Sequence, residues 1–313
     1  MIISASRRTD IPAFYTPWFM NRAREGFLLT RNPFNASQIR RISLKPSDVD
    51  VIVFWTRNPS KLMEHLHELD AIGHKYYFQY TITGYPRTLE SAVPKPYTAI
   101  ETFKKLSEML GADKVVWRYD PILISNQVDF NEHKRLFLKI ASLLSGKTKR
   151  VVISFSDFYK KTERNLRSIE GLIYSDITQD MDRLLELSKF MADTAIKHGM
   201  EIKSCAEHID ISCAGVPHGK CIDEALIKDI FGLSLSGSKD KGQREECGCI
   251  KSVDIGMYNT CLHECSYCYA TFSKNSVINN RKKHDVQSPF LIGGTEGIDS
   301  DLLIPEHIQS SIF

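Results

Sequence analysis

Apolar and polar positions follow one another along this chain in a repeating cycle. A short apolar run gives way to a polar cluster, then to apolar residues three or four apart, then to a glycine. Ile2-Ile3-Ser4-Ala5 opens as a short strand ending in Ser6-Arg7-Arg8-Thr9-Asp10. Pro12 suits the first turn of a helix that runs to about Arg24 and is closed by Gly26. Phe27 to Leu44 reads as two extended runs around Asn32-Pro33-Phe34-Asn35, a hairpin-like excursion. Val51-Ile52-Val53-Phe54-Trp55 has the unbroken apolar character of a buried parallel strand. Asn58-Pro59 then supplies an N-cap and first turn for a helix ending near Gly73.

The cycle continues with a strand from Tyr76 to Thr83. Thr98-x-x-Glu101 is a capping box for a helix stopped at Gly111. Val115-Val116-Trp117 is a strand running into Arg118-Tyr119-Asp120-Pro121, and a helix from about Asn131 to Leu144 stops at Gly146. Val151 to Phe155 is the next strand, a helix from about Thr178 to His198 ends at Gly199, and Met200 to Lys203 extends again. With Val253 to Met257, this makes about seven strands, the pattern of right-handed βαβ units in a complete or partial (β/α) barrel. The predicted class is α/β: a barrel body over 1–210, a cysteine-rich metal-binding region over 211–273 that completes it, and a tail over 274–313. The Ser/Gly/Lys-rich stretch from Leu233 to Glu246 predicts a mobile loop. The polar, non-periodic chain beyond Ser273 predicts a wrapping or poorly ordered tail.

Composition refines this picture in two ways. At 313 residues and 42% hydrophobic, the chain can bury a substantial core. Its net charge of +3 leans towards an anionic small molecule and falls short of a nucleic-acid-binding signature. No apolar run approaches membrane-spanning length, and Met1 to Ser6 lacks a signal-peptide layout, so the expected location is the cytoplasm. Phosphate-binding loops, dinucleotide fingerprints and hydrolase nucleophile elbows are absent from the sequence.

The cysteines change the picture more. All eight (205, 213, 221, 247, 249, 261, 265 and 268) fall in one window, whereas scattered core thiols would spread along the chain. A reducing cytosol disfavours disulfides, so the clustering points to metal ligation. Cys261, Cys265 and Cys268 form a C-x3-C-x2-C loop, a spacing at which three thiolates hold three irons of a [4Fe–4S] cube and leave the fourth open. Cys205, Cys221, Cys247 and Cys249 supply four further ligands, fitting either a second Fe–S cluster or a closed structural zinc. Cys213 is left as a plain thiol.

With aromatic Tyr267 before its third cysteine, this motif resembles the cluster loop of radical S-adenosylmethionine enzymes. The resemblance implies a [4Fe–4S] cluster whose open iron takes S-adenosylmethionine, and an electron donor such as flavodoxin or ferredoxin. It also implies reductive cleavage to a 5′-deoxyadenosyl radical that abstracts a hydrogen atom from the substrate. Tyr267 would lie near the adenine. In that family the motif follows the first strand. Here it lies late in the chain, which implies a circularly permuted barrel. From Ser4–Tyr15 (SASRRTDIPAFY) to the cysteine loop, the chain also resembles an uncharacterised bacterial family with such a C-terminal cluster. Spore photoproduct lyase shares the cysteine spacing and suggests a nucleic-acid lesion as substrate, against which the weak charge and missing aromatic–basic stripe both count.

Barrel active sites gather at the C-terminal ends of strands. Those ends bring Arg7, Arg8, Arg57 and Arg118 towards Asp10, Asp120 and Glu207, with Trp55 among them. Arginine binds carboxylate or phosphate bidentately, so Arg7, Arg57 and Arg118 would hold an anionic substrate or the cofactor's carboxylate. The acids would orient them or take ribose hydroxyls, and Arg8, Trp55 and Tyr267 would contact the cofactor. The alternative is an ion-pair network that fixes strand ends. His263, inside the loop, is expected to face solvent or to donate from outside the ligand set; His208 and His218 read as structural. A zinc- or cluster-stapled binding protein without catalysis is the competing function.

Overall fold

The computed structural model describes residues 1–33, 35–235, 237–240 and 242–304. Ser236 and Lys241 of the proposed mobile loop, Phe34 of the hairpin turn, and residues 305–313 of the proposed tail lie outside the described residues. The strands are β1 (Ile2–Ala5), β2 (Phe27–Asn32), β3 (Asn35–Ser43), β4 (Val51–Thr56), β5 (Tyr76–Thr81), β6 (Val115–Ile122), β7 (Ile124–Ser125), β8 (Arg150–Phe155), β9 (Tyr174–Ser175), β10 (Glu201–Cys205), β11 (His218–Gly219) and β12 (Val253–Asp254). The helices are α1 (Ile11–Phe14), α2 (Thr16–Glu25), α3 (Ser60–Met63), α4 (Leu66–Ile72), α5 (Pro96–Leu110), α6 (Phe130–Leu144), α7 (Lys160–Arg167), α8 (Met181–Lys197), α9 (Glu224–Phe231) and α10 (Lys274–Lys282).

Eight strands form one parallel sheet in the order β11-β10-β8-β6-β5-β4-β1-β12. It is a half-barrel surrounded by helices. The order is sequential apart from β12, which lies beside β1; moving it to the front of the chain would make the whole order consecutive. Period-two alternation sorts the side chains. Ile52 and Phe54 of β4, Phe78 and Tyr80 of β5, and Trp117 and Tyr119 of β6 pack against the helices in the main core. Their neighbours Val51, Val53, Tyr77 and Val116 face the other way. With Ile2 and Val152 they meet Leu226 and Ile227 of α9 and Ile250 in a second buried cluster. The concave face is thus packed rather than hollow at this level.

Several predicted boundaries move for local reasons. The first helix is split at Tyr15, and α2 ends as expected with Gly26 at φ 76°, a left-handed position that glycine tolerates. The Thr98/Glu101 capping box is not used, because α5 starts earlier with Pro96 in its first turn and Lys95 as N-cap. The helix after Asn58-Pro59 begins at Ser60 and is interrupted before α4. The hairpin of β2 and β3 is antiparallel as predicted. α8 is N-capped by Asp180 and is shorter than predicted at its start. The strand β11 and helices α7, α9 and α10 were not anticipated, being short or weakly patterned. Beyond Ser273 the chain wraps. Phe290, Leu291 and Ile292 are buried, and Trp18 Nε1 donates to Ser288 O at 2.9 Å. Among the described residues no helix is long and apolar enough to cross a membrane.

Candidate functional site

The cysteine loop follows β12 directly, so the pairing of β12 with β1 carries it to the C-terminal mouth of the half-barrel. Asp254, the last residue of β12, anchors that exit. Its carboxylate accepts from Ser4 Oγ (3.0 Å), Ser6 Oγ (2.7 Å), Arg7 N (2.8 Å) and Gly256 N (3.0 Å). Gly256 is required here: a Cβ would come within 2.6 Å of Ser6 Cβ, so the two ends of the chain touch backbone to side chain.

Two further ties fix the loop. Asp10 caps α1 by accepting from Ala13 N (2.9 Å); its other oxygen takes Arg57 N and His263 Nε2, each at 2.7 Å. His263 is therefore buried rather than solvent-facing, with its ring edge-on to Phe14 at 4.6 Å. The segment after β5 splices onto the loop. Ser266 N donates to Leu89 O (2.9 Å), Ala92 N to His263 O (3.2 Å), and Glu90 bridges antiparallel to Cys265. Glu90 also gathers the side chains beneath. It accepts from Arg57 Nη1 at 2.9 Å, from Thr83 Oγ1 at 2.5 Å, and from the Tyr267 hydroxyl, which itself takes Arg57 Nη2 at 2.5 Å. The hydroxyl of Tyr267 is thus committed to the protein.

The three loop thiols stand near one another. Cys268 N donates to Cys265 O at 3.1 Å, and the Cys261 thiol is raised by burial first and then by the charges of Cys268 and Cys265. Cys265 is pushed up to about 12 by burial, against the pull of the Arg57 cation. Both thiols are neutral at physiological pH until a metal displaces their protons. Among the described residues, no three His, Cys, Asp or Glu side chains are gathered as the ligands of one metal ion. A cube takes each thiolate on a different iron, so its three thiolates need to ring a volume rather than meet at a point. A compact loop of three thiols with no competing side-chain ligand between them is compatible with that demand.

Across the mouth, Trp55 lies between two guanidiniums. Arg7 is 5.0 Å and Arg118 5.1 Å from its ring centroid, and its Nε1 donates to Ser4 Oγ at 3.1 Å. Arg118 is paired, with Nε at 2.9 Å from Asp120 Oδ2, and that carboxylate is held below its ordinary range by Arg118 and by the Ser154 hydroxyl despite burial. Arg7 is not paired in this way. Its Nη1 is 3.5 Å from Ser252 Oγ, and its buried Nη2 has no hydrogen-bond partner. Such orphaned cations are rare.

The other predicted residues divide. Arg8 leaves the group, its guanidinium 5.3 Å from the Tyr258 ring. Glu207 accepts from Phe155 N at 2.8 Å and is pushed up to about 8, mainly by burial. Between it and Cys205, Ala206 takes a left-handed φ of 53°, uncommon for a residue with a Cβ. Cys205, Cys221, Cys247 and Cys249 come together on the concave side, and Cys213 is exposed. The sequence reading missed Glu90 and Asp254; each follows a strand as an isolated acid, and only the sheet order shows what it meets.

Residues 2–270 match the family described as Domain of unknown function (DUF1848). No curated protein matches the chain. A solved structure described as a "putative alpha-L-fucosidase" from Bacteroides thetaiotaomicron VPI-5482 is similar over 70% of this chain and 81% of its own. The identity is 11% and the TM-score 0.26, a likeness too loose to bear on function.

Proposed function

The chain belongs to that family of unknown function, and from this premise we propose that it is an iron–sulfur enzyme of the radical S-adenosylmethionine type acting on an anionic small or medium-sized molecule. Cys261, Cys265 and Cys268 would hold the [4Fe–4S] cluster. When bound, the cluster supplies one-electron cleavage of S-adenosylmethionine, and through it hydrogen-atom abstraction, the electron coming from a donor such as flavodoxin or ferredoxin. The observation that carries the reading is the unpartnered, buried Nη2 of Arg7 at the same mouth as the three thiols. A guanidinium desolvated without a counter-ion is costly, and an anionic ligand would offset that cost.

The chain's own residues then have separable tasks. Asp10, through His263, and Glu90, through Tyr267, hold the cysteine loop against the strand ends. Arg57 sets positive charge beside Cys265, which favours its thiolate and hence ligation. Trp55 keeps Arg7 and Arg118 apart and planar to its faces, while Asp120 neutralises Arg118 and leaves Arg7 as the free anion anchor.

Anaerobic reconstitution with iron and sulfide, followed by assay for 5′-deoxyadenosine with dithionite as reductant, tests the proposal. Iron and sulfide near four per chain and nucleoside release are expected, with both lost in Cys265→Ala. Zinc bound without iron or sulfide would overturn it in favour of a stapled binding protein, and undiminished release by Cys265→Ala would overturn it outright.

A further inference from the structure

The remaining cysteines meet where the sheet is open. Its two edge strands are β11 and β12, and the chain segments bordering that gap are the end of β10, the turn after β11, and the run into β12. Each contributes to one thiol group: Cys205, Cys221, and Cys247 with Cys249. Cys205 Sγ and Cys221 Sγ are 2.6 Å apart. Cys249 lies within hydrogen-bonding reach of both Cys221 and Cys247. Cys221 is anchored across the concave face, its carbonyl accepting from Tyr77 OH at 3.0 Å and Gln79 Nε2 at 2.8 Å. Ile250 N to Ile222 O, at 3.2 Å, joins the Cys249 segment to the Cys221 segment.

Buried cysteines used as small hydrophobes pack singly and inertly. These four behave otherwise. Arg118 Nη1 donates to Cys221 Sγ at 2.9 Å, and Ile222 N donates to Cys249 Sγ at 3.3 Å. Nitrogen donors aimed at sulfur are what thiolates under metal require. Cys221, Cys247 and Cys249 are buried, which leaves no open coordination position facing solvent.

We propose that Cys205, Cys221, Cys247 and Cys249 form a second, closed four-thiolate centre for a thiophilic metal, a zinc ion or an iron–sulfur cluster, which fastens the open edge between β11 and β12. Four sulfurs about 2.3 Å from one zinc lie about 3.8 Å from each other, so loading parts the Cys205–Cys221 pair by about an ångström, within reach of a rotation about one Cα–Cβ bond. The centre lies beneath Arg7 and Arg118 and holds the floor of the mouth in place.

The test uses the full chain with Cys261, Cys265 and Cys268 changed to Ala, so that the centre proposed above for the catalytic cluster contributes nothing and the two ideas fail separately. Metal analysis of this triple variant, as purified without oxygen and after loading with zinc alone or with iron and sulfide, is expected to show one zinc or one cluster's complement per chain. Which loading succeeds identifies the metal; success of neither overturns the proposal. Cys213→Ala in that background should leave the metal in place, and Cys249→Ser should remove it. Should Cys249→Ser fail to fold, iodoacetamide labelling of the triple variant decides: Cys213 alone reacts before a chelator is added, and the four thiols react after it. Labelling that a chelator does not change overturns the proposal.

Discussion

Glu90→Gln isolates the contact that seats the cysteine loop. The Glu90 carboxylate is 4% exposed and faces the Arg57 guanidinium, whose side chain is 11% exposed. The substitution keeps the shape and one acceptor oxygen but removes the charge, leaving Arg57 buried beside a neutral amide. Breaking a buried pair from one side costs about 3–5 kcal/mol. The retained acceptor still serves the Thr83 and Tyr267 hydroxyls, which places the expected loss near the lower end, about 3 kcal/mol. In urea denaturation of the metal-free chain followed by tryptophan fluorescence, that moves the midpoint by about 1 M with an unchanged slope. Arg57→Met alone strands the carboxylate and should cost a similar amount. The double variant should be more stable than the sum of the two losses by at least about 1 kcal/mol, because no unpaired charge is then left buried. Additive losses, or a Glu90→Gln variant within about 0.5 kcal/mol of wild type, would show that Arg57 finds compensation elsewhere and that Glu90 does not seat the loop.

Three other outcomes follow from the same geometry. His133, with Nε2 donating to Leu123 O and Nδ1 accepting from the Tyr119 hydroxyl, is pushed down to about 4 by burial. Between that value and an unfolded value near 6.5 the unfolded chain binds the extra proton, so about 3 kcal/mol of stability present above pH 6.5 is lost as pH falls through 4; His133→Gln should flatten the slope in pH-dependent urea midpoints. Gly256→Ala places a Cβ against Ser6 and should destabilise by about 1–3 kcal/mol in the same assay. Arg7→Met removes an underpaired buried cation, so stability should hold or rise by about 1 kcal/mol, while the extra thermal stabilisation by inorganic phosphate over chloride at equal ionic strength should disappear.

The alternation of apolar runs and glycine-stopped helices carried the half-barrel in the sequence, because parallel strands buried on both faces leave an unbroken run such as Val51–Trp55. Short edge strands do not. β11 is two residues long, its Gly219 is packed against Lys203 with no room for a Cβ, and nothing in His218-Gly219 alternates. The motif spacing of Cys261, Cys265 and Cys268 was legible for a related reason: a loop compresses its ligands into adjacent positions. Glu90 was not, since its partners Arg57 and Tyr267 are separated from it by 33 and 177 positions, and a lone acid after a strand looks like any cap.

The placement of β12 accounts for how both ends of the chain come to share one mouth. A parallel strand can add only at a sheet edge, and the edge next to β1 is open because nothing precedes β1 in the sheet order. By entering there, β12 puts Asp254 under Ser4, Ser6 and Arg7, so the first and last strands are joined through one carboxylate rather than through sheet bonds alone. The cost of this arrangement is a second edge left open at β11, far from any further strand among the described residues. The segment that must cross that gap, between β11 and β12, is where Cys221, Cys247 and Cys249 occur, and Cys205 ends the strand beside it. Thiols concentrated at the crossing are therefore explained by topology: a sheet that recruits its last strand to the front needs something other than another strand to hold its rear edge.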